Sequence, residues 1–400
     1  MTTGTTSALL PSQRVLFVSG TPLGSATCRY RCEHLAEALR AQGARAEVAY
    51  VGQSRVRVAH EVVVLYRVCA TGEGRRFARA ARACGATLVY STDDLVFDAE
   101  AAPPEMGSRF RALAPLHREM LIAADAALAS TEFLARRMQE AAPGVPVRTL
   151  RNFLGGELFA RSRAAASQTT RGPVTTVTLG YLSGTPTHDA DLALIAEPLR
   201  QVLRANPLAD LLLVGPIRTP EALMELEAAG RVRRRATVAW QDLPALIIEE
   251  KIAINLAPLD LSRPFCHAKS EVKFLEAAAL GIPTVASAGE GFAEGIPTES
   301  ASEGDEGLVL LPTPNDWMQA LTSLIQNEER RQSLGERAWQ RVRLTGTMEA
   351  NAPKVAAFFD TLTGGERLSA RTIAPPETMV NWPFAPRYAV KSLLQRMSRR

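Results

Sequence analysis

Short apolar runs alternate along the chain with longer stretches in which apolar positions recur every three or four residues. This is the pattern of strands and crossover helices wound into parallel sheets. In the first half it predicts strands at RVLFVS (14–19), AEVAYV, EVVVLY (61–66), ATLVYS (86–91), AALAS and PVRTL (146–150). Between them lie helical stretches: YRCEHLAEALRAQG up to Gly43, then 73–83, 107–122 and 132–141. Residues 151–173 lose the periodicity and gather Gly, Ser, Thr and Arg, which marks a connection. A second alternation follows, with strands at VTLGYL (177–182), DLLLVG (210–215), ATVAW (236–240), KIAINLAP (251–258), IPTVAS and GLVLL (307–311). Its helices are expected near 190–205, 220–229 and 242–249, through KSEVKFLEAAALG, and from about 315 to 362.

Parallel strands cannot be joined by tight turns, so each crossover helix covers a sheet face. The expected fold class is α/β, with two Rossmann-like parallel-sheet domains facing across a cleft. The boundaries read as 14–160 and 174–362, joined by a linker at 161–173. Residues 1–13 read as a flexible N-terminus and 363–400 as a basic tail. Ligands of such sheets bind beyond the carboxyl ends of the strands, so the cleft is the expected site.

Composition narrows the class. Hydrophobic residues make up 46% of the chain and charged residues 22%, which excludes the low-hydrophobicity regime of disorder. No apolar run approaches the ~18 residues of a membrane span. The stretch MTTGTTSALLPSQ lacks a basic segment followed by a long apolar one, so neither a spanning nor a secreted protein is expected. Cys28, Cys32, Cys69, Cys84 and Cys266 form no Cys-x-x-Cys pair, and reduced thiols in a cytoplasmic protein are the expectation. Net charge is +4, but residues 364–400 hold seven basic residues against Glu366 and Glu377, a local +5 that leaves the body at −1. A nucleic-acid surface on the body is therefore not expected. The stretch RYAVKSLLQRMSRR gathers Val390, Leu393, Leu394 and Met397 on one side of a basic helix. It suits peripheral contact with an anionic membrane, or else a solvated terminus.

Chemistry concentrates at Asn255–Ser287, which reads as strand, polar loop, helix, Gly-x-Pro turn and strand. On a helix Lys269, Lys273 and Glu276 share one face at i, i+4 and i+7, with Ser270 as N-cap. Lysines at a helix start oppose the dipole unless an anion sits there, so the pattern reads as a phosphate site with Arg263 and His267 as further donors, or as a solvated charged face. In GYLSGTPTHDADLALI (180–195), the Gly184 loop and Thr185 offer backbone N–H groups and His188 a ring donor. Asp189 and Asp191 form an Asp-x-Asp that we read as capping chemistry rather than a metal motif. In the first half, Gly20, Gly24 and Ser25 follow the first strand with Arg29 and Arg31 beyond, which reads as a ligand loop or a plain turn. Asp93 and Asp94 lie at the carboxyl end of a strand on the cleft side, where adjacent carboxylates raise one another's pKa and one accepts a proton from a hydroxyl or orients it, or else they cap the loop.

The second-half segments resemble the nucleotide-sugar glycosyltransferases of the GT-B fold, in particular the retaining, family-4-like group 1. Glu276, Ala277, Gly281, Pro283, Val285, Ala286 and Ser287 match the latter part of that family's Glu-x7-Glu motif and the turn and strand after it. The motif's first Glu falls on Ala268, with Glu271 as a nearby substitute. Gly180-Tyr181-Leu182-Ser183-Gly184 and Thr187-His188-Asp189 match a subgroup, with Tyr181 in place of the usual Arg and His188 in place of the usual Lys. The resemblance implies a retaining hexosyl-type transferase in glycan biosynthesis, with a nucleotide-diphosphate sugar as co-substrate, no other cofactor and no metal. It implies that Glu276 holds the ribose hydroxyls while Gly180, Tyr181, Ser183, Gly184, Thr185, His188, His267, Lys269, Ser270, Glu271 and Lys273 surround the donor. Asp93, Asp94, Lys269 and Arg263 would act in catalysis, and Gly20, Gly24, Ser25, Arg29 and Arg31 would lie on the side of an unidentified hydroxyl acceptor. A sugar-nucleotide-binding protein without catalysis and an epimerase or hydrolase on the same fold are the alternatives.

Overall fold

The computed structural model describes residues 13–52, 60–101, 103–104, 107–168, 176–294 and 307–362. The expected flexible N-terminus and the basic tail therefore lie outside the described residues, apart from Gln13. Six strands form the first sheet: β1 (Arg14–Ser19), β2 (Arg45–Tyr50), β3 (Val62–Tyr66), β4 (Thr87–Ser91), β5 (Ala126–Ala129) and β6 (Val147–Thr149). Their order is β2-β1-β3-β4-β5-β6, and every ladder is parallel. The second sheet holds β7 (Val177–Leu182), β8 (Ala209–Val214), β9 (Val232–Arg235), β10 (Ile252–Ala257), β11 (Thr284–Ser287) and β12 (Leu308–Leu311). It runs β12-β11-β10-β7-β8-β9, again parallel throughout. The order reverses beside β1 in one sheet and beside β7 in the other, and such switch points are where crevices open.

Burial explains the sequence pattern. Every residue of β3, VVVLY, is buried because helices cover both faces of the sheet. Leu16, Val18, Leu65 and Tyr90 pack on one face against an Ala-rich layer, while Val15, Phe17, Val64 and Tyr66 pack on the other. Among the described residues no helix is long and apolar enough to cross a membrane.

Several expectations are corrected. The connection at 151–173 contains a helix, Gly156–Ser167. The stretch expected as one helix near 190–205 is two, Asp189–Leu194 and Ala196–Ala205. ATVAW is not a strand; β9 is the preceding VRRR, among the described residues an edge strand paired with β8 alone. Its arginines are tolerated because Arg233 pairs with Asp210 and Glu250, and Arg235 with Glu250. This displacement of the strand leaves Trp240 in a turn. The helix beginning in the motif segment is only Val272–Ala278, with Glu271 rather than Ser270 at its N-cap position. The final helix, Met348–Thr361, belongs by sequence order to the second half but packs on the first. Phe359 meets Phe17 at a ring separation of 5.8 Å, and Gln13 Nε2 donates to Phe359 O (3.0 Å).

Candidate functional site

The carboxyl ends of β3 and β4 face the loop that follows β10. Tyr66 closes β3, and its hydroxyl donates to Asp93 Oδ1 (2.6 Å). Arg67 follows with a φ of 49°. This is a left-handed conformation, unusual for a side-chain-bearing residue. Its guanidinium donates from Nε to Asp93 (2.7 Å) and from Nη2 to Asp94. From the other half, Lys269 Nζ donates to Asp94 Oδ1 (2.7 Å). Burial works against the Asp94 carboxylate, but Lys269 and Arg67 together outweigh it and hold its pKa below the ordinary value. Mutual raising of the Asp93–Asp94 pair is therefore corrected for Asp94, which is a poor proton acceptor here. Gly20 is required for packing rather than open to a ligand, since a Cβ there would sit 2.1 Å from Arg67 O.

Across the cleft, Lys273 and Glu276 project from Val272–Ala278. Lys273 Nζ is buried with no hydrogen-bond acceptor among the described residues and lies 4.4 Å from the Tyr181 ring centroid. Burial is the main cause that brings its pKa down to about 8; Lys269 adds to this, while Asp191 and Glu276 oppose it. Glu276 accepts from Tyr30 Oη of the first half (2.9 Å), and burial raises its pKa. His188 donates or accepts through Nδ1 with Asp191 Oδ2 (2.8 Å), and burial lowers its pKa. Asp191 also accepts from Asp260 N (3.0 Å), and Asp189 accepts from Arg218. Both carboxylates are thus engaged by protein donors. Tyr181 is fully buried beneath Lys273 and donates to His188 O (3.0 Å), a floor rather than a contact surface.

Other expected site residues are occupied by the protein itself. Gly180 lies inside β7 against Ile252. Ser183 Oγ donates to Thr185 O (2.9 Å), which shapes the exposed Gly184 turn, and Thr185 also bonds Thr187. Ser270 accepts from Asn152 Nδ2 (2.6 Å). Glu271 is not a stand-in for the missing motif carboxylate, because it is buried in a two-pronged ion pair with Arg151 (2.6 and 3.0 Å). Arg263 pairs with Asp260 (2.6 Å), and His267 Nε2 bonds Leu261 O (2.9 Å). Ser25 caps its own helix by accepting from Cys28 N, while Gly24 remains exposed. Arg31 is not at the cleft surface: it is fully buried and donates to Leu150 O, Asn152 Oδ1 and Ala129 O.

Residues 195–357 match the family model described as Glycosyl transferase-like. No curated protein matches the sequence. The fold is similar to that of Anabaena HepE, solved with UDP and glucose (TM-score 0.60, 15% identity, covering 87% of this chain and 100% of that one). It is also similar to a glycosyltransferase from Rickettsia africae ESF-5 (0.61, 11%, 89% and 100%) and to WaaG, a glycosyltransferase involved in lipopolysaccharide biosynthesis (0.57, 14%, 88% and 100%). The chain has the GT-B fold.

One feature of the GT-B cleft escaped the sequence reading. Arg29–Glu33 forms a single π-helical turn ahead of the helix His34–Ala41. Arg29, Tyr30, Arg31 and Cys32 are all buried in succession. The wider turn permits this, whereas an α-helix with one apolar stripe would not. Tyr30 reaches Glu276, and the Arg29 guanidinium lies over Trp240, 4.5 Å from the ring centroid. Arg29, expected on the acceptor side, therefore faces the second half. Tyr30, Arg67, Arg151 and Trp240 are the cleft residues missing from the sequence reading. Arg67 alone carried a signal, as a cation directly following a strand in register with Asp93's strand.

Proposed function

We propose that the chain is a glycosyltransferase that moves a sugar from a nucleotide-diphosphate donor to an acceptor hydroxyl with retention of anomeric configuration, in the building of a glycan or glycoconjugate. The Lys273 ammonium, buried without an acceptor among the described residues, carries this reading. Such a cation is costly unless an anion reaches it, and a diphosphate supplies one. Glu276, one helical turn further on, is held by Tyr30. Once Tyr30 gives way, it offers two acceptor oxygens to vicinal ribose hydroxyls. The structural relative solved with UDP and glucose supports the donor class. Lys269 and Lys273 would take up the charge that develops on the departing diphosphate, electrostatic preorganisation that needs no divalent ion. Asp94 positions Lys269, and the acceptor enters from the exposed Gly24 loop toward Asp93. Residues 387–400 would hold the cytoplasmic enzyme at an anionic membrane surface.

The test is product analysis by NMR with UDP-, GDP-, dTDP- and ADP-linked sugars, with and without EDTA. A transferred sugar with the donor's anomeric configuration, formed in EDTA and lost in Lys273→Met, is expected. Inverted product would overturn retention, EDTA sensitivity would overturn metal independence, and sugar release or epimerisation without acceptor would place the chain in another enzyme class.

A further inference from the structure

His188 occupies the N-cap position of the helix Asp189–Leu194, and its ring is held by one edge. Nδ1 lies 2.8 Å from Asp191 Oδ2. Asp191 is 4% exposed and also accepts from Asp260 N (3.0 Å). Burial works against its charge, but the His188 bond, the Asp260 N–H and Lys273 outweigh it and hold its pKa below the ordinary value. An ionised carboxylate only accepts, so Nδ1 carries the ring proton and Nε2 is bare, with no partner among the described residues. Burial lowers the His188 pKa; the Asp191 bond opposes this, and Lys273 and Lys269 add to it. The ring is therefore neutral at neutral pH while no anion is present.

The neighbouring charges decide what an anion would change. Asp189 is paired with Arg218 (2.7 Å), Asp260 with Arg263 (2.6 Å), and Lys269 with Asp94 (2.7 Å). Burial keeps the Tyr181 hydroxyl and the Cys266 thiol, whose Sγ lies 3.9 Å from Asp191 Oδ1, protonated near neutrality. Lys273 has no acceptor among the described residues. The side chains of His188 and Lys269 are each 22% exposed, so the cluster is open to solvent rather than sealed in the core. An anion beside these lysines cancels their repulsion of a proton on His188 and adds an attraction, while Asp191 stays in place to stabilise the imidazolium.

We infer that the donor's diphosphate binds together with a proton, taken from solvent onto His188 Nε2, which then donates to a phosphate oxygen, with Asp191 as the residue that positions the ring. The assignment rests on the donor reading above and extends it. A third fixed cation beside Lys269 and Lys273 would burden the empty site, whereas a histidine becomes one only when substrate arrives. The proton returns to solvent when the diphosphate leaves.

The experiment is calorimetry on the full chain at pH 7 with UDP-, GDP-, dTDP- and ADP-linked glucose, in PIPES and in Tris, two buffers that differ in protonation enthalpy. The diphosphate of these donors is esterified at both ends and has no group that titrates near neutrality, so a proton exchanged on binding belongs to the protein. Lys273, which titrates at about 8, supplies only about a tenth of a proton at that pH. A donor that binds should carry at least about half a proton with it, read from the difference between the two heats. His188→Asn keeps an N–H for Asp191 but has no titrating edge; it should lose that uptake and bind about tenfold more weakly. His188→Gln should do the same, and melting temperatures report the fold of each variant. Asp191→Asn removes the charge that stabilises the imidazolium and should lower the uptake, and full uptake in that variant would overturn its positioning role. Equal heats in the two buffers for the unaltered protein, or uptake undiminished in the His188 variants, would overturn the inference alone. Failure of the unaltered protein to bind any of the four donors would overturn it together with the donor reading.

Discussion

The two walls of the cleft carry similar charged residues but treat them differently. On the first wall, Asp93 and Asp94 are matched by Tyr66, Arg67 and the incoming Lys269, and each carboxylate has its donors in place. On the second, Lys273 has no acceptor among the described residues and Glu276 is held by a tyrosine hydroxyl with its pKa raised by burial. A satisfied network rigidifies what it holds, whereas an unsatisfied one is stabilised by whatever completes it. On the proposed function, the first wall is a positioning surface and the second a binding surface. Glu271 belongs to the first kind despite its place beside the lysines, since Arg151 already fills its oxygens.

The contrast is broken most severely by Asp94→Asn. It leaves Arg67 and Lys269 without their shared carboxylate. The fold should lose about 3 kcal/mol in chemical denaturation. An unchanged midpoint would mean that the network is not holding the wall. Lys273→Met removes a buried unpaired cation. It should act with the opposite sign on stability, a gain on the order of 1 kcal/mol. The same variant should bind nucleoside diphosphate about 30-fold more weakly by calorimetry. Stability and affinity falling together would contradict the binding-surface reading.

Acidity sharpens the same point. Lys273 titrates at about 8 when folded, against an unperturbed 10.5, so its charge is lost as pH rises through 8. Diphosphate affinity should fall by roughly tenfold per pH unit above that value and level off in Lys273→Met. Between about 8 and 10.5 the unfolded chain holds the Lys273 proton that the folded chain has released, so raising the pH favours the folded state. The stability gap between Lys273→Met and the unaltered protein should therefore narrow across that window. A gap independent of pH would count against a depressed Lys273. The smallest effect at the cleft is expected from removing residues 387–400. Nucleotide affinity should stay within twofold while flotation with anionic liposomes declines, and equal flotation would reject the membrane assignment.

The parallel sheets were legible because buried strands such as VVVLY need continuous apolar runs, and no other element of that length does. The helix Val272–Ala278 was legible because Lys273 and Glu276 share a face with the apolar positions set on the others. What escaped was set by partners remote in sequence. VRRR does not read as a strand until Asp210 and Glu250 are placed beside it. Arg29 and Arg31 look alike in sequence, yet a π-turn aims one at Trp240 and sinks the other beneath Leu150 and Asn152. Ser270, Glu271 and His267 matched a chemical expectation by residue type, but neighbours more than a hundred positions away, or a nearby loop carbonyl, had already taken their hydrogen bonds.

The helix Met348–Thr361 closes the core around Phe17, so the half made first on the ribosome is the half finished last. Synthesis adds residues at a limited rate, so the whole second half, from the end of β6 at Thr149 to Met348, occupies on the order of tens of seconds. Until then Val15, Phe17 and Val64 lack part of their cover, and the nascent first sheet is a substrate for whatever recognises exposed apolar surface. A stop codon shortly before residue 348 would therefore damage the beginning of the protein more than its end.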